Sequence, residues 1–178
     1  MTFAMHARRS KLQSSVTDFA MPEIAIHTRL PDPAAVVAPR LLTVLSGYSS
    51  RDDVVLALGV GIAGAAMSVP VTVELRDSAT RMPNGVPIGL RASHHGELFP
   101  AFHGTVRSEG AGNLESVLRL DGTYETPLGI FGSIADRTVL GHAAERSLRA
   151  FLERLRADVI DEVQRAELSV RRSEGRHT

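Results

Sequence analysis

Residues 54–73 read VVLALGVGIAGAAMSVPVTV, an uncharged run between Asp53 and Glu74. About 20 apolar residues are what an α-helix needs to cross ~30 Å of hydrocarbon, so the run must be read first as membrane span or as folded core. Its second half decides the matter. Met67, Val69, Val71, Val73 and Leu75 are apolar, while Ser68, Pro70, Thr72, Glu74 and Arg76 alternate with them. Period two marks a strand with one buried face, and a spanning helix has no reason to alternate. The first half alternates large against small: Val54, Leu56, Leu58, Val60 and Ile62 against Ala57, Gly59 and Gly61. Ala63-Gly64-Ala65 can turn the chain between the halves. The run is therefore read as two strands, with Pro70 marking an edge strand or a bulge, and no transmembrane span is expected.

The flanks extend the same pattern. EIAIHTRL (23–30) is a short strand stopped by Pro31-Asp32-Pro33, where Asp32 is placed to cap a helix with Pro33 in its first position. The segment AAVVAPRLLTVLSG follows as a helix, expected to break at Pro39 and end at Gly47. After the turn-rich RDSATRMPNG, VPIGLRASH carries Val86, Ile88, Leu90 and Ala92 on one parity, with His94 continuing it. FPAFHGTVRSE, the turn GAGN and LESVLRLDGTY make a hairpin, in which Leu114, Ser116, Leu118, Leu120 and Tyr124 share the apolar parity.

Beyond Ile134 the period changes. Leu140, Ala144, Leu148, Phe151, Leu152, Leu155, Val159 and Val163 recur in steps of three and four, one stripe of a helix reaching about Arg165. Ser133 and Asp136 suggest a capping box. The whole predicts an α+β fold: a strongly twisted antiparallel sheet of five or six strands wrapped around one long C-terminal helix. Residues 22–168 are expected to form a single domain, with a flexible tail at 1–21 and a polar tail at 169–178.

Composition narrows the function. The 178 residues carry 20 basic and 20 acidic side chains, a formal net charge of zero, which argues against broad attraction to nucleic acid. Cysteine is absent, so thiolate catalysis and Cys metal sites are excluded. Arg8-Arg9 is followed by no apolar segment of an export signal, and a cytoplasmic location is expected.

The stretch from Phe99 to Leu155 resembles the helix-grip superfamily often called SRPBCC. That group includes START lipid-transfer domains, plant pathogenesis-related allergens and polyketide cyclases. The residues that carry the resemblance are the last hairpin, Tyr124, the turn Pro127-Leu128-Gly129, and the helical step Ala144-Glu145-Arg146. It is specific over roughly 99–160 and topological over 23–95; the connection after the first strand is shorter than is usual there. The resemblance implies an apolar space between sheet and C-terminal helix that takes a hydrophobic or amphipathic small molecule, lipid or polyketide-like.

On that basis the binding candidates are Val71, Val73 and Leu90 from the middle strands, Phe102, Leu118, Leu120 and Tyr124 from the hairpin, and Leu148 and Leu152 from the helix. His94 joins them at a strand end. His94 and Tyr124 are also the candidates for acid/base work if the protein is instead a cyclase or dehydratase. His103 has outward parity, and adjacent His94 and His95 point to opposite faces. No spacing places three metal ligands together. The glycines after Pro127 lack the Lys-Ser/Thr of a phosphate loop. No metal or cofactor is expected. The chain is expected to act as a monomer or as a homodimer joined through an edge strand such as that of Pro70.

Overall fold

A computed structural model of the chain describes residues 23–51, 54–58, 67–75, 85–94, 101–125 and 134–174. Strand β1 (Glu23–Leu30) alternates as its sequence does, burying Ile26 and Leu30 and exposing Glu23, Ala25, His27 and Arg29. Helix α1 (Ala34–Ser49) follows. Five further strands come next: β2 (Val54–Leu58), β3 (Met67–Leu75), β4 (Val86–Ala92), β5 (Ala101–Gly110) and β6 (Ser116–Glu125). Helix α2 (Ile134–Glu174) closes the chain. The strands form one antiparallel sheet in the order β1-β6-β5-β4-β3-β2.

α1 differs from its sequence reading at three points. It does not break at Pro39. The carbonyl that loses its partner to this proline belongs to Ala35, and both residues are exposed, so water can satisfy it. Pro33, not Asp32, holds the N-cap position, and its carbonyl accepts from the amides of Val36 and Val37 at 2.9 and 3.1 Å. The helix runs past Gly47 because Ser50 closes it, its amide and hydroxyl both donating to Ser46 O.

Pro70 is not on an edge. β3 is paired on both sides, and β2 is the edge strand. Pro70 O accepts from the Ser93 amide at 2.9 Å. Its missing donor faces Ser93 O on that same side, so the reciprocal bond of this pair is lost and the β3–β4 ladder ends there. The turn at 63–65, the glycines at 59 and 61, Ser133 of the suggested capping box and the turn at 127–129 lie outside the described residues.

The long helix grips the sheet by its margins. α2 packs against β1 and β2, the two edge strands, and against α1; α1 in turn packs on β3 and β5. A single helix touching both edges requires a sheet coiled around it, as right-handed twist allows. The fold is therefore α+β with a helix-grip arrangement. α2 has 41 residues, about 60 Å at 1.5 Å each, while ten-residue strands span about 33 Å. It overshoots the sheet, continuing beyond Arg165 to Glu174, and none of residues 164–173 is buried. Arg171 and Arg172 in its last turn favour this extension through the helix dipole.

Candidate functional site

The ladder registers set the inner face as rows across the sheet. Val73, Leu90, Phe102 and Tyr124 stand side by side on β3, β4, β5 and β6. The next row is Leu75, Ile88, Gly104, Gly122 and Ile24, and the one after it Val86, Val106, Leu120 and Ile26. Over these rows lie Val37, Leu41 and Leu45 from α1 and Leu148, Phe151, Leu152, Leu155 and Val159 from α2, all within the same buried cluster.

Nine of the sequence-predicted binding residues are brought together here. Val71, Val73, Leu90, Phe102, Leu118, Leu120, Tyr124, Leu148 and Leu152 are each 5% exposed or less. His94 is not among them. β4 ends at Ala92, the chain bends at Ser93, and His94 is exposed. The strand ends there because Pro70, opposite Ser93, has no N–H to return the bond it accepts from the Ser93 amide; the Ser93 hydroxyl lies 3.1 Å from that of Thr72. The inner parity of β4 thus stops one turn short of His94. Leu114 also departs from expectation: β6 starts at Ser116, and Leu114 sits in the hairpin turn beside Gly112, whose φ of 133° calls for glycine.

Two glycines shape the middle of the face. Gly104 and Gly122 are direct cross-strand partners. A Cβ on Gly104 would lie 2.5 Å from Phe102 Cζ and collide with the Asp121 carbonyl; one on Gly122 would lie 2.6 Å from the same ring atom. The absent side chains let β5 and β6 coil closely and let the Phe102 ring lie against the sheet.

Tyr124 supplies a hydroxyl at one end of this apolar face. It is 4% exposed, and burial pushes its hydroxyl above the ordinary range. Burial is its sole perturbation, so no charged group among the described residues works on it. It remains a neutral donor at physiological pH. On the opposite, outer face His103 is placed as its parity predicts, with Nε2 3.7 Å from Glu125 Oε1. His95 lies outside the described residues.

Sequence reasoning missed Tyr48. Its hydroxyl bonds Asp158 Oδ2 on α2, and its ring centroid is 6.2 Å from that of Phe151. Burial raises its ionisation well above the ordinary value, reinforced by Asp158 and opposed by Arg154. The signal was available, since Tyr48 continues the stripe Val37, Leu41, Leu45 by a three-residue step. It went unread because Gly47 looks like a helix end. Ser108 and Ser116 were missed as well: both have inner parity, and both hydroxyls are buried without a partner.

No helix among the described residues is long and apolar enough to cross a membrane. No family model matches the chain, and no curated protein matches it. Solved structures of similar fold include a protein from Thermus thermophilus, with 18% identity over 79% of this chain and 98% of that one, at a TM-score of 0.48. The Zhui aromatase/cyclase from a Streptomyces species has 16% identity over 80% and 96%, at 0.47. A START superfamily protein from Mycobacterium smegmatis has 14% identity over 75% and 96%, at 0.39.

Proposed function

We propose that the protein binds a hydrophobic or amphipathic small molecule, lipid or polyketide-like, between the inner face of the sheet and α2. The observation that carries this reading is the enclosed apolar face itself. It runs unbroken from Val73 to Ile26 across the sheet, it is held by a helix that touches the sheet's two margins, and it carries an uncharged tyrosine hydroxyl at one end. An apolar surface with a few placed polar groups is what small-molecule sites are made of. Ligand entry requires the cover over the lining residues to open, since they are buried.

A carrier is favoured over a cyclase or dehydratase by the position of His94. Acid/base chemistry needs a second polar group within reach of the first. His94 is exposed beyond the end of β4, and no titratable group perturbs Tyr124 among the described residues.

Titration with a fluorescent polyene fatty acid tests the proposal. Wild type is expected to give a saturable one-to-one complex, and Leu148→Trp, which fills the layer from α2, is expected to abolish it while the chain stays folded. Absence of saturable binding, or binding unchanged by Leu148→Trp, refutes it.

A further inference from the structure

We infer that Ser108 and Ser116 form the subsite for an uncharged polar group of the ligand, a hydroxyl or a carbonyl. The inference rests on the binding reading above and fixes which end of the interior is polar. Ser116 is 0% exposed, and neither its Oγ nor that of Ser108 has a hydrogen-bond partner. Both lie on the inner face. Ser108 stands opposite Leu118, and Ser116 stands between Gly110 and Leu30.

The two serines are therefore diagonal neighbours across one hairpin, with Cβ atoms about 7 Å apart. Hydroxyls at that separation can both reach one oxygen placed between them. Buried hydroxyls in native proteins nearly always have a partner, because one left unpaired forfeits its bonds to water without return. Neither hydroxyl has a backbone partner among the described residues. The missing partner thus lies outside the described residues, and a ligand group can supply it.

Its charge follows from the neighbours. Arg156 of α2 gives its Nε to the carbonyl of Arg29, the residue before Leu30, at 2.6 Å. Arg107 and Arg119 have outer parity and bind Asp121 there. A carboxylate between the serines would have no counter-charge on the inner face among the described residues, and burying it would be costly. A neutral oxygen fits. The apolar part of the ligand then extends from Leu118 along Val106 and Leu120 toward Phe102, placing Tyr124 at the far end of the face.

Naphthalene and 1-naphthol, which differ by one hydroxyl, test this. Wild type is expected to bind the naphthol about tenfold more tightly, the equivalent of ~1.4 kcal/mol. Ser108→Ala/Ser116→Ala is expected to bind both equally, with naphthalene affinity unchanged, and Asp121→Asn, on the outer face, to keep the preference. Unchanged naphthalene binding also reports that the double variant is folded. A preference that survives in the double variant, or that is lost in Asp121→Asn, overturns the assignment. So does equal binding by wild type, which would mean that the serines hold only water. If neither compound binds wild type, the binding reading itself fails and this inference falls with it.

Discussion

The hairpin β5–β6 has two faces built from alternate residues of the same strands, and they are held by different physics. Inward stand Phe102, Val106, Leu118, Leu120 and Tyr124, each 4% exposed or less. Outward stand His103 with Glu125, and Arg107 with Glu109 and Asp121, the last also bound by Arg119 at 2.8 Å. The outer face has the better-defined directional contacts and the inner face has none. Yet burial of one large side chain is worth about 1.5–3 kcal/mol, against at most about 1 kcal/mol for an exposed ion pair. Stability therefore belongs chiefly to the inner face, and the outer ladder contributes strand register.

The comparison breaks most visibly where the inner face is emptied. Phe151 is fully buried where α1 meets α2, and Phe151→Ala is expected to cost about 3–5 kcal/mol, read by urea denaturation. A loss below about 1 kcal/mol would mean that the helices are not locked together there. Overfilling comes next. Gly122→Ala is expected to cost about 3 kcal/mol, because its new methyl meets the His103 carbonyl and the Gly104 Cα, backbone atoms that cannot move aside as a side chain could. A neutral Gly122→Ala would mean that the two strands do not approach as closely as described.

The inner face was legible in the sequence because period two is a strong signal when hydrophobic and charged residues alternate, as in β1, β4 and β6. It failed at strand ends, where parity carries no information about termination. His94 has the inner parity and lies outside, since β4 ends before it, opposite a proline that cannot complete the ladder. Leu114 has the same parity and lies in a turn. The serines at 108 and 116 were visible as letters on the right parity, but small polar residues look alike whether paired or orphaned, and only three-dimensional accounting separates them. Tyr48 was hidden behind a glycine that reads as a helix stop. The wrapping of the sheet was legible only as topology, because the Gly104–Gly122 pairing joins positions that no short-range pattern connects.

Tyr48 extends the comparison to the seam between the helices, a polar contact on the buried side. Tyr48→Phe keeps the ring and loses the bond to Asp158, which is expected to cost about 1–2 kcal/mol at neutral pH. The two tyrosines of the chain are both raised above 10.0 by burial first of all, so both are neutral in the folded state when the unfolded chain begins to ionise. The stability they contribute is complete below pH 10.0 and lost as pH rises above it, each at up to about 1.4 kcal/mol per pH unit. Denaturation at about pH 9 and about pH 11 is expected to show a smaller alkaline loss in Tyr48→Phe than in wild type. Equal losses would mean that Tyr48 is free to ionise and does not hold α1 to α2.

The smallest effect is expected on the outer face, and it has the opposite dependence on pH. Burial works to raise the Asp121 carboxyl, but bonds from Arg119 and Arg107 outweigh it and hold the group below its ordinary 3.8. A depressed carboxylate contributes stability above the unfolded value and loses it as pH falls through the folded one. Asp121→Asn is therefore expected to cost no more than about 1 kcal/mol at neutral pH, less in high salt, and nothing once the solution is acidic enough to protonate wild-type Asp121. Binding of the fatty-acid probe should not change, since the side chain has outer parity. A loss of several kcal/mol, or of probe binding, would mean that the outer ladder sets the coil of the sheet and so the shape of the interior, and the division of labour between the two faces would have to be abandoned.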